Sequence, residues 1–307
     1  MYQIIRSRRT QKDVLKQNRY QSEEGWEMEY LTFPSLENTG LVKHLFTTRL
    51  GGVSEGMYAT LNLSFQRGDD PDRVLVNYER VAEVLGCKAT DIVASHQTHT
   101  TNIRKVTEED RGKGVTSQRD YEDIDGLITD VPGIALACFY ADCVPLYFVD
   151  QKHRAIGLAH SGWRGTVEEM GRCMIEKMQE TYGTRPEDLY AAVGPSICRD
   201  CYEVSEDVAE VFRERFDDDE VEQIISELNA AGVLSGSRIV NPGRVPGKYQ
   251  LDLWMANAVI LRRAGIPLTQ IAVTDICTCQ NPDYLFSHRA SDGKRGNLGA
   301  FMMLEKI

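Results

Sequence analysis

The segment "GIALACFYADCVPLYFVD", residues 133–150, constrains the fold most strongly. It is apolar for most of its length, so it reads as buried strand, with a break near Ala141-Asp142. Val131-Pro132-Gly133 turn the chain into it from "DGLITD", and a turn at Asp150 to Arg154 leads out into a second apolar strand, "KHRAIGLAH". A hairpin of this length brings Cys143 and His160 side by side. The polar residues that interrupt these buried strands are therefore the informative ones.

The other elements surround this pair. "DPDRVLVNYERVAEVLG" has apolar residues at helical spacing, a cap at Asp70 or Asp72, and Gly86 after its end. The stretch after "AHSGWRGT" reads as one helix with Val167, Met170, Met174, Ile175 and Met178 on one face. "SEDVAEVFRERF", "DDEVEQIISEL" and "QLDLWMANAVILRRAG" read as further helices, and "WEMEYLTF", "DLYAAVGPSI" and "QIAVTDIC" as strands. "DIVASHQTHTTNIRKV" is strand-like and carries His96 and His99. No fixed-period repeat or linker interrupts the pattern, and the interspersed elements favour one mixed domain over a regular βαβ array. Residues 1–26 read as an N-terminal extension with little order, ahead of a domain over 27–307.

Composition narrows the function. A net charge of −11 disfavours a general nucleic-acid binder. No apolar run approaches the roughly 18 residues of a membrane span, and no apolar segment follows the basic N-terminus as in a secretory signal. Eight cysteines in a chain of 307 residues without an export signal are expected as reduced thiols or metal ligands, in the cytoplasm.

His99, Cys143 and His160 form a natural zinc set: two nitrogens and one sulfur, with a fourth position left for water or substrate. The alternative is a buried thiol with two hydrogen-bonded histidines. Gly162 to Thr166, at a strand-to-helix turn, presents backbone N–H groups suited to an anion, with Arg164 beside them. The plainer reading is a glycine-assisted turn with a solvated arginine.

Eight segments then occur in order: "HLFTTRLGGVSEGMYATLNLS", "HQTHT", "DGLITDVPGIAL", "ADCVPLYFVD", "IGLAHSGWRGT", "VGPSICRDCYEV", "LDLWMANAVIL" and "DICTCQNPDYLFSHRASDGKRG". Together they resemble the YfiH/laccase-domain family, also called polyphenol oxidases or purine nucleoside phosphorylase-like proteins. The resemblance implies an α+β domain whose mixed sheets stack as an α/β/β/α sandwich. It implies a metal site at His99, Cys143 and His160; Thr100 stands where the family often has glycine. It also implies one of several activities: phosphorolysis of adenosine, guanosine, inosine or methylthioadenosine, adenosine deamination, copper-dependent phenol oxidation, or editing of peptidoglycan precursors by an amidase-type hydrolase.

Each activity makes a demand on the residues. Deamination needs activated water, which a zinc ion with an open position supplies near neutral pH; Asp142, beside a ligand, is the candidate acid/base or a backbone brace. Phosphorolysis needs phosphate held by cations, with Arg49 and Arg164 the leading candidates. Asn62 can position substrate or satisfy a buried turn, and Trp163 can stack on a purine or pack in the core. Copper fits a Cys-His-His site by affinity, but six histidines are few for several copper centres. Cys198, Cys201, Cys277 and Cys279 are independent thiols or a second metal set. Cys143 with His160 as base would suit a cysteine hydrolase, and a closed site without turnover would suit a binding module. The expectation is a zinc-dependent purine nucleoside enzyme taking small-molecule substrates, nucleoside and phosphate, with no nucleic-acid or membrane partner.

Overall fold

A computed structural model of the chain describes residues 2–10 and 14–306. In chain order the elements are β1 (Lys16–Gln21), β2 (Glu27–Thr32), α1 (Pro34–Glu37), β3 (Val42–Thr47), α2 (Pro71–Leu85), β4 (Ile92–Ala94), β5 (Ile103–Lys105), β6 (Gly126–Thr129), β7 (Ala135–Tyr140) and β8 (Val144–Asp150). There follow β9 (Ala155–Ser161), α3 (Trp163–Val167), α4 (Met170–Tyr182), β10 (Leu189–Val193), β11 (Glu203–Ser205), α5 (Glu206–Phe216) and α6 (Asp219–Ala230). Last come β12 (Val240–Pro242), β13 (Lys248–Leu251), α7 (Leu253–Arg263), β14 (Ile271–Val273) and β15 (Leu298–Leu304).

Two six-stranded mixed sheets form the centre, in the orders β1-β2-β3-β15-β7-β4 and β14-β10-β8-β9-β6-β5; β11-β13-β12 make a small third sheet. Side chains alternate across a strand, so β8 sends Leu146 and Phe148 to one core and Tyr147 and Val149 to another. Tyr147, Val149, Ile156 and Leu158 meet Leu136, Cys138, Ala300 and Met302 between the two large sheets. Leu146 and Phe148 meet α4 and α7 on the outer face of the second sheet. On the outer face of the first, Ala135, Ala137 and Phe301 pack against Val74, Tyr78, Val81 and Leu85 of α2. The layers run helix, sheet, sheet, helix, which explains why β7, β8 and β9 are apolar on both faces.

Two local expectations change. Lys16–Gln21 of the anticipated extension form an edge strand antiparallel to β2 over six residue pairs. Upstream, Arg6 pairs with buried Asp275 at 2.5 Å, and Arg9 pairs with buried Asp252. A polar edge strand held partly by ion pairs lacks the apolar signal that marks interior strands. The helix expected after "AHSGWRGT" is two helices. Glu169 has φ +55, and its buried carboxylate takes Arg172 at 2.5 Å and Arg215 at 3.0 Å. The kink therefore has side-chain causes that periodicity does not register.

Candidate metal centre and substrate pocket

The β8–β9 hairpin pairs Val144 with Ser161 and Pro145 with His160. Cys143, one residue before β8, thus lies at the same end of the hairpin as His160. His99 arrives from the loop between β4 and β5. Its loop is clipped to the first sheet by Gln97, whose Nε2 donates to the Phe139 carbonyl at 2.8 Å and whose Oε1 accepts the Phe139 amide at 2.7 Å.

Asp125 organises the centre. Its carboxylate accepts the backbone amides of Thr98, His99 and Thr100 at 3.0, 3.2 and 3.0 Å, and lies 2.7 Å from His160 Nδ1. Three convergent amides hold His99 at φ +68, a left-handed conformation uncommon for a side-chain-bearing residue. Burial opposes ionisation of Asp125, but the His160 hydrogen bond and charge and the Thr100 and Thr98 amides outweigh it, so the carboxyl sits below its usual range. A carboxylate at Nδ1 keeps the proton there and leaves Nε2 of His160 free to ligate.

His99 Nε2 lies 4.0 Å from Cys143 Sγ, and the ligating atoms of His99, Cys143 and His160 all fall within 4.8 Å of one another. Tetrahedral zinc with bonds near 2.0 and 2.3 Å separates nitrogen from sulfur by about 3.5 Å, so small inward shifts close the set. Gly162 makes the cradle possible: a Cβ there meets His99 Cδ2 at 2.9 Å and Cys143 Sγ at 3.1 Å. Burial pushes the Cys143 thiol up, but the His160 charge and hydrogen bond, then those of His99, bring it down to about 6. Burial likewise depresses His160, while Cys143 and Asp125 raise it to about 9. Without metal the two are a coupled thiolate–imidazolium pair. The donor set, the Asp125 carboxylate behind His160 and Gly162 fit a thiophilic divalent cation.

The three ligands line a cavity of about 590 Å³. Its walls include the rings of Phe65 and Phe139, both partly exposed, and the arginines Arg67, Arg119 and Arg295. These guanidiniums are held by main-chain oxygens: Arg67 by the carbonyls of Arg295 and Gly293, Arg119 by that of Ser95, and Arg295 by that of Gly296 together with the Asn297 side chain. Arg295 Nε is buried without a partner. Burial, then the Arg67 charge, lowers Arg295 to about 10. Among the described residues none of the three pairs with a carboxylate, so the cavity holds surplus positive charge.

The other residues expected in the site are placed elsewhere. Asp142 touches neither histidine. Its Oδ1 accepts the Thr278 hydroxyl at 2.6 Å and its Oδ2 the Arg289 amide at 2.7 Å, and these hold its φ of +87. Both its oxygens are thus engaged away from the histidines, and Asp125 is the carboxylate on His160. Arg49 donates to the carbonyls of Ala59 and Pro282 and covers the Phe286 ring, outside the cavity lining. Buried Asn62 is saturated: it donates to Ser64 O and Asp69 Oδ2 and accepts from the amides of Ser64 and Asn297. Trp163 packs on the helical side of the second sheet, and exposed Arg164 lies over its ring at 4.3 Å. α3 is only five residues long, and Gly162 at its start is closely packed against His99 and Cys143. Asp125 opens a motif already singled out, but its partners are backbone amides. Arg67, Arg119 and Arg295 come from three separate loops and share no spacing.

A face-to-face β-sandwich with a nitrogen–sulfur cluster of three residues opening on one cavity defines a class of protein with a candidate metal centre. The chain matches the family described as multi-copper polyphenol oxidoreductase laccase over residues 43–305, and it belongs to that family. It is 35% identical over 265 residues to purine nucleoside phosphorylase YlmD of Bacillus subtilis (strain 168), covering 85% of this chain and 88% of that one. It is 32% identical over 247 residues to adenosine deaminase RL5 of an unknown prokaryotic organism, covering 80% and 87%. The crystal structure of YlmD from Geobacillus stearothermophilus is similar with a TM-score of 0.80 and 32% identity, over 96% of this chain and 100% of that one.

Proposed function

We propose that this protein is a zinc-dependent purine nucleoside enzyme that catalyses phosphorolysis and adenosine deamination. One observation carries the reading. His99, Cys143 and His160 face a cavity that also holds three arginines without carboxylate partners and two partly exposed aromatic rings. The relatives named as phosphorylases and as an adenosine deaminase support the same substrate class. When bound, zinc with three protein ligands supplies Lewis acidity and a water activated near neutral pH.

The protein groups divide the remaining work. Arg295, Arg67 and Arg119 bind phosphate, which a buried and unpartnered guanidinium N–H favours. Phe65 and Phe139 offer flat apolar surface to a purine. Asp125 keeps the His160 Nδ1 proton in place and so fixes which nitrogen faces the cavity. The cytoplasm is the proposed compartment, in keeping with all eight cysteines being free thiols. No helix among the described residues is long and apolar enough to cross a membrane.

The copper in the family's description has a specific footing here, because two imidazoles and a thiolate also suit copper. The described residues offer this one mixed set, and the other cluster is all cysteine. We therefore place zinc first. The test is a panel of adenosine, inosine, guanosine and methylthioadenosine, with and without phosphate, on protein purified without added metal. Base release that requires phosphate, and inosine formed from adenosine without it, support the proposal. Stoichiometric zinc with every nucleoside untouched contradicts it, and stoichiometric copper with phenol turnover replaces it.

A further inference from the structure

The second concentration of ligating groups lies outside the cavity. Cys198 and Cys201 follow β10 with two residues between them, and Cys277 and Cys279 follow β14 with one residue between them. Topology brings the two segments together. β10 and β14 are parallel neighbours, and the pairing continues beyond their ends as a parallel bridge between Ser196 and Cys277, with the Thr278 amide donating to Ser196 O at 3.1 Å. The sulfurs of Cys198, Cys201 and Cys277 all lie within 4.8 Å of one another, and Cys279 reaches the Cys201 thiol. None of the four is in a disulfide.

We infer that Cys198, Cys201, Cys277 and Cys279 form a second, structural metal site that binds one zinc ion through four thiolates. Four sulfurs on a regular tetrahedron around zinc, at bonds near 2.3 Å, stand about 3.8 Å apart, so Cys198, Cys201 and Cys277 need only a slight contraction, and Cys279, beside Cys201, moves in as the fourth ligand. Two short cysteine pairs delivered by separate segments are the usual architecture of such sites; Cys198 and Cys201 have the usual spacing, and Cys277 and Cys279 are one residue closer. The Cys198 amide already donates to Cys277 Sγ at 3.2 Å, an N–H bond that favours charge on the sulfur. Cys198 and Cys277 are buried in the core between the second sheet and its helices, and Cys201 and Cys279 pack against it, which leaves little room for an exchangeable ligand.

The site also has a structural task. The Ile197 amide donates to Asp142 O at 3.0 Å and the Thr278 hydroxyl to Asp142 Oδ1. Both cysteine-bearing segments therefore grip the residue that precedes Cys143. An ion stapling them fixes Asp142, and through it the position of Cys143.

The inference does not depend on the nucleoside reading, and its test does not read activity. Wild-type protein and the variants Cys143→Ser, Cys277→Ser and Cys279→Ser are purified under reduction, stripped with chelator and titrated with zinc and, separately, cobalt. Circular dichroism checks that each remains folded. Two zinc ions per wild-type chain and one in Cys143→Ser are expected. Cobalt in Cys143→Ser should show strong thiolate charge transfer and tetrahedral d–d bands, and zinc should protect all four cysteines from alkylation there. Failure of Cys143→Ser to bind any metal overturns the inference. So does full alkylation of the four cysteines in the presence of zinc, or a Cys198–Cys201 disulfide in protein prepared without oxidant.

Discussion

The two clusters of soft ligands in this fold contrast in chemistry and in surroundings. His99, Cys143 and His160 mix nitrogen with sulfur, number three, and border a cavity. Cys198, Cys201, Cys277 and Cys279 are all sulfur, number four, and sit against a helical core. Zinc sites that catalyse keep an open position, and zinc sites that only hold structure are closed. The open cluster stands at the end of the β8–β9 hairpin, where a loop histidine is pinned by Asp125. The closed one stands at the ends of β10 and β14, where parallel pairing runs on past the strands. Asp142 lies between them, gripped from the closed side and leading directly into Cys143.

Substitutions at the open centre should separate its chemistry from the fold. Cys143→Ala removes a ligand at a partly exposed position, so nucleoside turnover should fall by about a thousandfold or more, with melting temperature nearly kept. Turnover within tenfold of wild type in steady-state assays would break the contrast. Asp125→Asn keeps the shape but sets an NH2 group where His160 Nδ1–H or the amides of residues 98–100 need an acceptor. Metal affinity at the open site should drop by about 10- to 100-fold, measured by competition with a chelator, while the four-cysteine site is unaffected.

Arg295→Met deletes the guanidinium with the unpartnered Nε. The KM for phosphate should rise by about tenfold, equivalent to about 1.4 kcal/mol, with phosphate-free deamination little changed. An equal loss in both reactions would mean that Arg295 serves the fold and not the anion. Gly162→Ala forces a methyl against His99 and Cys143; a few-fold loss of metal affinity is expected, with about 1–3 kcal/mol of destabilisation from overpacking. An unchanged affinity would show that the loop gives way without cost. In metal-free protein the Cys143 thiolate, depressed to about 6, is the nucleophile above that pH. Alkylation of Cys143 should therefore rise with pH through a midpoint near 6, and a midpoint near 9 would refute the pairing with His160.

The meeting of Cys143 with His160 was legible in the sequence because buried strands reject polar residues: the two interrupt apolar runs, and the run lengths predict the hairpin that joins them. The regular helices α2 and α7 were legible for the same kind of reason, their apolar period. What the sequence concealed was set by tertiary contact. Asp125 acts through backbone amides some 25 residues away in the chain. The arginines of the cavity meet only once three loops close. β1 is a polar edge strand with no apolar alternation, and the break between α3 and α4 depends on arginines that reach Glu169 from elsewhere, Arg215 among them. Arg49, Asn62 and Asp142 drew attention as polar residues in ordered surroundings, and each makes hydrogen bonds to main-chain groups, with side-chain bonds to Thr278 and Asp69 besides, that spacing does not reveal.

Metal removal and restoration at the open centre tests the central claim most directly. Cys277→Ser protein, which keeps the His99–Cys143–His160 set whole and leaves the four-cysteine set one ligand short, is stripped with chelator, and adenosine conversion is followed as zinc is returned. Activity absent from the stripped protein and restored in proportion to zinc, saturating at one ion per chain, is the predicted result. Conversion that persists at full rate without metal, or stays absent after one equivalent of zinc has bound, would contradict it.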